Sequence, residues 1–290
     1  MNELNDIVFE VYKGVLEMDY SKNVHNSLVK KIKKLGRYIS SGYVFQCRRA
    51  RKEMAKFNVF EPTTKVFDNI KIAIYTVSTG RYDDVQEPIY IDKNIDYFVF
   101  TEQEIKGDSV WKRKEIPDNI KNLPSLDQAR YIKTHPHEFF EDYDYSMFID
   151  GNIRITCDIR PLFYTMIEKE KVMAIHKHQV RDCVYDESNA IYAAGKASRK
   201  MLRAQMSKYK ADGFPKNFGL FETNIVIRKH NDEECKKIMN DWWSEMNTWT
   251  KRDQLSFTYS LWKNGKNSDY ILSLGNNSRR NPFFIVDSHK

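Results

Sequence analysis

Asp150-Gly151-Asn152 follows a short apolar run, Met147-Phe148-Ile149, with acidic residues before it. The run reads as a buried strand that stops abruptly. Polar groups at the carboxyl end of a buried strand sit where open α/β sheets bind ligands. Asp150 and Asn152 are two apart, so an extended backbone turns both side chains the same way. Gly151 lets a ligand or metal approach the main chain. The bland alternative is a strand running into an Asp-Gly turn, common in any protein. Upstream, Arg130, Lys133 and His137 fall at spacings of three and four and share one helix face. That stripe is either solvated surface charge or a cationic wall that meets phosphates beside the strand. Downstream, Glu222 and Asn224 share one face of a strand with polar residues embedded in it, and buried polar groups there usually have a job or a partner. His176 and His178 open a polar-rich segment running through Arg181, Asp182 and Glu187. Its histidine and carboxylate spacing matches no standard metal set, which favours a substrate-lining role. Asp253 stands near the start of the last helix, where it reads as a simple cap.

These residues need elements to position them. Ile72-Ala73-Ile74-Tyr75-Thr76-Val77 is a buried strand ending in Ser78-Thr79-Gly80-Arg81, a small-residue loop with an arginine. Such a loop has the form of a nucleotide-binding turn, although any strand needs a turn after it. Further strands are expected at 96–101, at 111–116 and at 172–175. Helices are expected over 126–140, with Ser125 as N-cap and Pro136 forcing a kink or early end, and over 158–171, 187–210 and 231–249. Strands near 72, 97, 148, 173 and 224, separated by helices, give an α/β domain with a largely parallel sheet. Residues 1–66 read as helical instead. Val24, Leu28, Val29, Ile32, Leu35 and Ile39 recur at helical spacing with lysines opposite. This is either an appendage that packs its apolar stripe on the main domain or a docking helix for an anionic membrane. Glu61-Pro62-Thr63-Thr64 reads as the linker, dividing the chain into an appendage at 1–66 and a catalytic domain at 67–290.

The chain's 290 residues, with 17 Phe, 17 Tyr and 5 Trp, can build one large core. No apolar run approaches the roughly 18 residues that span a bilayer, and the acidic N-terminus lacks the order of a secretory signal. A cytoplasmic protein is expected, peripheral at the inner face of the membrane if residues 20–52 dock there. Cys47, Cys157, Cys183 and Cys235 form no CxxC pair, so neither zinc nor a disulfide framework is indicated. The net charge of +7 is concentrated at Lys30-Lys31-Ile32-Lys33-Lys34 and Arg48-Arg49-Ala50-Arg51-Lys52. It attracts an anion: nucleic acid, anionic lipid or a phosphorylated substrate.

In order, the chain carries residues 72–82, 96–102, Ala129-Arg130-x-x-Lys133, 145–152, His176 with Arg181-Asp182-Cys183-x-Tyr185-x-Glu187, Gly219-Leu220-Phe221-Glu222-Thr223-Asn224, and Arg252-Asp253-Gln254-Leu255. This series resembles the glycosyltransferase-like family, long a domain of unknown function, found in bacterial surface-polysaccharide clusters and plant seed-mucilage proteins. The resemblance covers about residues 70–265. It implies a GT-A-like, mostly parallel sheet flanked by helices, here with the N-terminal helical appendage, and a nucleotide-diphosphate sugar donor, UDP-sugar favoured. It further implies a glycan or lipid-linked acceptor in surface polysaccharide synthesis, such as capsule or O-antigen. In that frame Thr76, Gly80 and Arg81 border the nucleotide, and Arg130 and Lys133 offset the diphosphate as the sugar departs. Asp150 and Asn152 hold Mn²⁺ or Mg²⁺, with the neutral amide of Asn152 weakening the metal affinity that the usual Asp-x-Asp provides. His289 adds a late ligand, unless it is a frayed terminal residue. Asp253 removes the acceptor proton if the reaction inverts configuration, with Glu222 competing for that role. His176, Arg181, Asp182, Glu187 and Asn224 shape the substrate pocket. The rival expectations are a nucleic-acid-binding protein, against which no stacking-aromatic module appears, and a phosphate or glycoside hydrolase built on the same carboxylates and histidines.

Overall fold

The computed structural model describes residues 24–43, 60–80 and 85–287. Arg81, His289, Cys47 and the basic stretch at 48–52 lie outside the described residues. The elements in chain order are α1 (Val24–Ser40), β1 (Ile72–Ser78), β2 (Ile95–Thr101), β3 (Lys112–Lys114), α2 (Ser125–Thr134), β4 (Tyr145–Ile149), β5 (Ile153–Ile155) and α3 (Arg160–Glu168). There follow β6 (Met173–Lys177), α4 (Val184–Ala193), α5 (Arg199–Ala211), β7 (Phe221–Arg228), α6 (Glu233–Thr248), α7 (Asp253–Lys263), β8 (Ile271–Ser273) and β9 (Phe284–Val286).

Seven strands form one sheet in the order β3-β2-β1-β4-β7-β6-β8, and β5 and β9 form a separate ribbon. The sheet is mostly parallel, and β7 alone runs antiparallel to both its neighbours. Alternation along the strands separates two cores. One face sends Ile72, Ile74, Val99, Met147 and Ile227 against Leu162, Phe163 and Met166 of α3. The other sends Tyr75, Phe100, Phe148 and Val226 against Ile238, Trp242 and Met246 of α6 and Phe257 of α7. Strands buried on both faces read as near-continuous apolar runs, which is why β1 and β2 were legible as strands.

The chain leaves β1 for β2 on one side and returns to β4 on the other. That reversal opens a crevice at the carboxyl ends of β1 and β4, the place where open α/β sheets take ligands. Because β7 is antiparallel, its amino-terminal end lies at the same edge. Asp150 N–H donates to the Asn224 carbonyl at 2.9 Å, and a bulge after Ile175 brings His176 opposite Glu222.

Four expectations about local structure are corrected. The helix expected to reach residue 140 stops at Thr134, because Pro136 lacks an N–H and restricts His135 before it; a 3₁₀ turn, Pro136–Glu138, follows. Pro124, and not Ser125, holds the N-cap position. The helix expected over 187–210 is two helices, divided at Gly195, whose φ is +72° and where an added Cβ would meet the Arg37 guanidinium at 2.9 Å. In the described part of the α1 stripe Ile32 and Ile39 are more than half exposed, against the reading that packs the stripe on the main domain. The helix instead docks by polar contacts: Arg37 Nε donates to the Ala193 carbonyl at 3.3 Å and Arg199 Nη2 to the Ser40 carbonyl at 3.0 Å. Among the described residues no helix is long and apolar enough to cross a membrane.

Candidate functional site

Lys133 is the centre of the crevice. Its side chain is 5% exposed, with Nζ 2.9 Å from Asp253 Oδ2 and 3.8 Å from Asp150 Oδ1. The ammonium lies over the rings of Phe148, at 4.8 Å, and Trp242, at 5.5 Å, which favour a cation. One turn earlier on α2, buried Arg130 donates through Nη2 to the Lys251 carbonyl, while its Nε and Nη1 are buried without a hydrogen-bond partner. Burial pulls the Arg130 pKa down, and the carboxylates of Asp253, Asp127 and Asp150 oppose that loss of charge. For Asp253 burial acts towards protonation, but Lys133 and Arg130 together hold its carboxyl well below the usual range. Asp253 opens α7, and its Oδ1 accepts from the Gln254 N–H at 3.1 Å. The helix spacing therefore delivered Arg130 and Lys133 as expected. His137 leaves them, because the helix has already ended, and lines a cavity beside Glu233 and Lys236 at the start of α6.

The end of β1 is pinned to the start of α2. Thr79 Oγ1 donates to the Ser125 carbonyl at 2.9 Å, and Gly80, with φ +67°, admits Ser125 where a Cβ would stand 2.7 Å from its Oγ. Thr76 is buried on β1, and its Oγ1 has no hydrogen-bond partner. Glu222 and Asn224 are brought together as the strand pattern implied. Both engage Ser278 in the loop after β8: Glu222 Oε2 accepts from its N–H and Asn224 Nδ2 donates to its Oγ, each at 2.9 Å. Asn224 Oδ1 and His176 Nδ1 are buried without partners. Burial brings the His176 pKa down to about 4, so the ring is neutral. These orphaned polar atoms gather at the carboxyl edge of the sheet. A cavity of about 480 Å³ opens at the opposite edge among Asp68, Glu141, Asp142, Asp144 and Lys229, away from them.

Arg181 and Glu187 form a second polar group with His178. Arg181 Nε donates to Glu187 Oε2, and His178 Nδ1 accepts from the N–H groups of Val180 and Arg181 at 3.2 Å each. Burial raises the Glu187 pKa and the Arg181 charge opposes it. The Asp182 carbonyl accepts from the Gly219 N–H at 2.9 Å, tying this loop to the entry of β7. Arg252 holds the N-cap position of α7, directly before Asp253, and its Nε is buried without a hydrogen-bond partner. Sequence reasoning missed it. Its signal was an arginine directly before the helix-opening aspartate.

Asn152 turns elsewhere. Ile153 N–H donates to the Asp150 carbonyl at 3.0 Å, so a turn replaces the extended backbone that would align Asn152 with Asp150. Asn152 Nδ2 donates to the Asp287 carbonyl at 2.6 Å, and Asp287 receives Arg154 Nε and Nη2 at 2.8 and 3.2 Å. Asn152 thus joins β4 to the β5–β9 ribbon. Among the described residues no three His, Cys, Asp or Glu side chains converge as a metal site. The donor set does not fit a divalent cation, which takes several oxygen ligands: Asp150 already faces an ammonium, and the turn after it, with the Asn152 Nδ2 bond to the Asp287 carbonyl, holds the Asn152 side chain towards the β5–β9 ribbon.

The TOD1/MUCI70 glycosyltransferase-like domain family matches this chain over residues 29–289, which takes in most of α1. The probable hexosyltransferase MUCI70 of Arabidopsis thaliana is 25% identical over 250 residues, covering 76% of this chain and 42% of that protein. The chain therefore spans about two fifths of that relative's length. Among solved structures, the WbbM bifunctional glycosyltransferase is similar at 11% identity and TM-score 0.43, over 74% of this chain and 40% of that one. The mannosyltransferase Ktr4p of S. cerevisiae is similar at 11% identity and TM-score 0.37, over 86% and 77%. By the extent of the family match, this chain belongs to the TOD1/MUCI70 glycosyltransferase-like domain family.

Proposed function

We propose that this chain is a glycosyltransferase that moves a hexosyl group from a nucleotide-diphosphate sugar, a UDP-sugar first among candidates, to a hydroxyl of a glycan or lipid-linked acceptor in surface polysaccharide synthesis. The carbon–oxygen bond to the diphosphate breaks, the acceptor oxygen takes its place on the sugar, and the acceptor proton leaves to a base. The observation that carries this reading is the buried Arg130–Lys133 pair at the crevice between β1 and β4. Cations preset there offset the charge that accumulates on a departing diphosphate. The nucleotide lies along Thr76 and Gly80, with Arg81 beyond them, and the sugar lies towards His176, Asn224 and the Arg181–Asp182–Glu187 loop. Of the two carboxylates, Glu222 suits the role of base better. Asp253 neutralises Lys133, and a carboxyl held that far down takes up a proton poorly.

Work at the inner face of the membrane, with residues 20–52 against anionic lipid, accords with the exposed Ile32 and Ile39 beside lysines on α1. A thermal-shift series with UDP-, GDP-, CMP- and dTDP-sugars tests the donor class, because a ligand of the folded state raises the melting temperature. One nucleotide is expected to stand out. A flat response to all four would remove the reading. Donor consumed at full speed without an acceptor would make the enzyme a hydrolase.

A further inference from the structure

We infer that Arg130, Lys133 and Arg252 together carry the charge of the donor diphosphate and that no divalent cation takes part. This rests on the nucleotide-diphosphate donor proposed above. Four observations point to it. The Asp150 carboxylate that would anchor a cation has the Lys133 ammonium 3.8 Å away, so a divalent ion there would meet a fixed positive charge. Asn152, the expected second ligand, is buried and turned from Asp150 to the β5–β9 ribbon, where its Nδ2 donates to the Asp287 carbonyl. Lys133 sits between two carboxylates, Asp150 and Asp253, while Arg130, one turn earlier, has no carboxylate partner of its own among the described residues because Asp127 pairs with Lys251 at 2.8 Å. Finally, Arg130 Nε and Nη1 and Arg252 Nε are buried donors without acceptors.

Buried arginine donors left unpaired are unfavourable until an anion arrives, and guanidinium forks match phosphate oxygens in geometry. A divalent cation would supply the same charge in one ion. In this chain the charge is distributed over α2 and the start of α7. The arrangement also gives Asp253 and Asp150 a use: they pair with the Lys133 ammonium where it is buried against Phe148 and Trp242. Arg252 is new to the site: it stands directly before Asp253 at the start of α7 with its Nε unpaired, which suits it to meet a phosphate oxygen there.

The test is UDP binding by titration calorimetry to the full chain after chelation, then with added Mn²⁺ or Mg²⁺, alongside transfer measured in the same buffers. Equal affinity and equal turnover with and without metal are expected. Arg252→Gln should weaken UDP about tenfold or more without metal dependence, as loss of a charge-assisted contact does, and Arg252→Lys should recover part of it. The wild-type arm needs no variant to fold. Binding or turnover that appears only with Mn²⁺ or Mg²⁺ overturns the inference and leaves the donor proposal standing. Failure of every nucleotide to bind in either buffer overturns the donor proposal itself. Arg252→Gln binding UDP as wild type removes Arg252 from the site.

Discussion

Arg228 Nη1 donates to the Lys133 carbonyl at 2.7 Å, and Tyr75 OH donates to the same oxygen at 3.0 Å. Arg228 closes β7, is fully buried, and also donates to Tyr75 OH. Among the described residues no carboxylate pairs with it. Its charge rests on a main-chain carbonyl, a phenol and the Met239 sulfur, 3.2 Å away. The last turn of α2, where orphan carbonyls occur, is thus held from behind by one strand while Lys133 projects into the crevice ahead. Arg228→Met is expected to lower stability by about 1–3 kcal/mol, the cost of a poorly satisfied buried carbonyl, and to raise the donor KM. Urea unfolding and donor kinetics check both. An unchanged donor KM would separate Arg228 from the site.

Asp150→Ala should lower transfer, because it removes one of the two carboxylates beside Lys133, and leave the fold intact. The Asp150 side chain is 40% exposed, and its ion pair with Lys133 is loose at 3.8 Å, so a stability loss of about 0–1 kcal/mol is expected. Circular dichroism and melting check the fold, and turnover in that variant at the wild-type rate would defeat the donor-site reading.

Glu222→Gln and Asp253→Asn should differ in kind. If Glu222 is the base, its amide variant loses about a hundredfold or more in kcat with little change in donor KM. Asp253→Asn leaves buried Lys133 short of its closer partner, so it should cost about 3–5 kcal/mol in stability and weaken donor binding. Melting curves with kcat and KM read separately distinguish the two. A loss confined to kcat in Asp253→Asn would return the role of base to Asp253.

Stability should fall as pH drops from about 6.5 towards 4. Burial holds His176 neutral with its pKa at about 4, whereas the unfolded chain protonates near the ordinary value of about 6.5. Between the two the unfolded state binds more protons, so stability rises with pH by at most about 1.4 kcal/mol per unit for this one group. Urea midpoints across that window check it. His176→Gln should reduce the slope by the share of that group, since burial also holds His137 and His178 down, and an unchanged slope would show that His176 contributes nothing.

Reversing Lys30, Lys31, Lys33 and Lys34 to Glu should release the chain from anionic vesicles, since each lysine near such a surface contributes about 1 kcal/mol. Transfer to a soluble acceptor should persist. Flotation of wild type and variant with equal efficiency would end the membrane reading.

Much of the fold was legible because its cues are local. The apolar runs at 72–77 and 147–149 could only be buried strands, and the three-residue spacing of Arg130 and Lys133 placed both on one helix face. Misreadings arose where one residue's stereochemistry outweighed a longer pattern. Pro136 ended α2 before His137 could join the lysine, and Gly195 split one helical pattern into two helices. Asn152 was misaligned because its period-two argument assumed a strand that had already turned.

The amino-acid sequence alone determined the strand–helix alternation and which side chains share a face, since those follow from backbone periodicity and residue preference. Tertiary structure decided that Lys133 meets Asp253, 120 positions away, that antiparallel β7 brings Glu222 and Asn224 to the same edge as Asp150, and that Arg228 holds the Lys133 carbonyl from behind. These are long-range pairings. They depend on strand order and on which buried charges find partners, and no window of neighbouring residues contains that information.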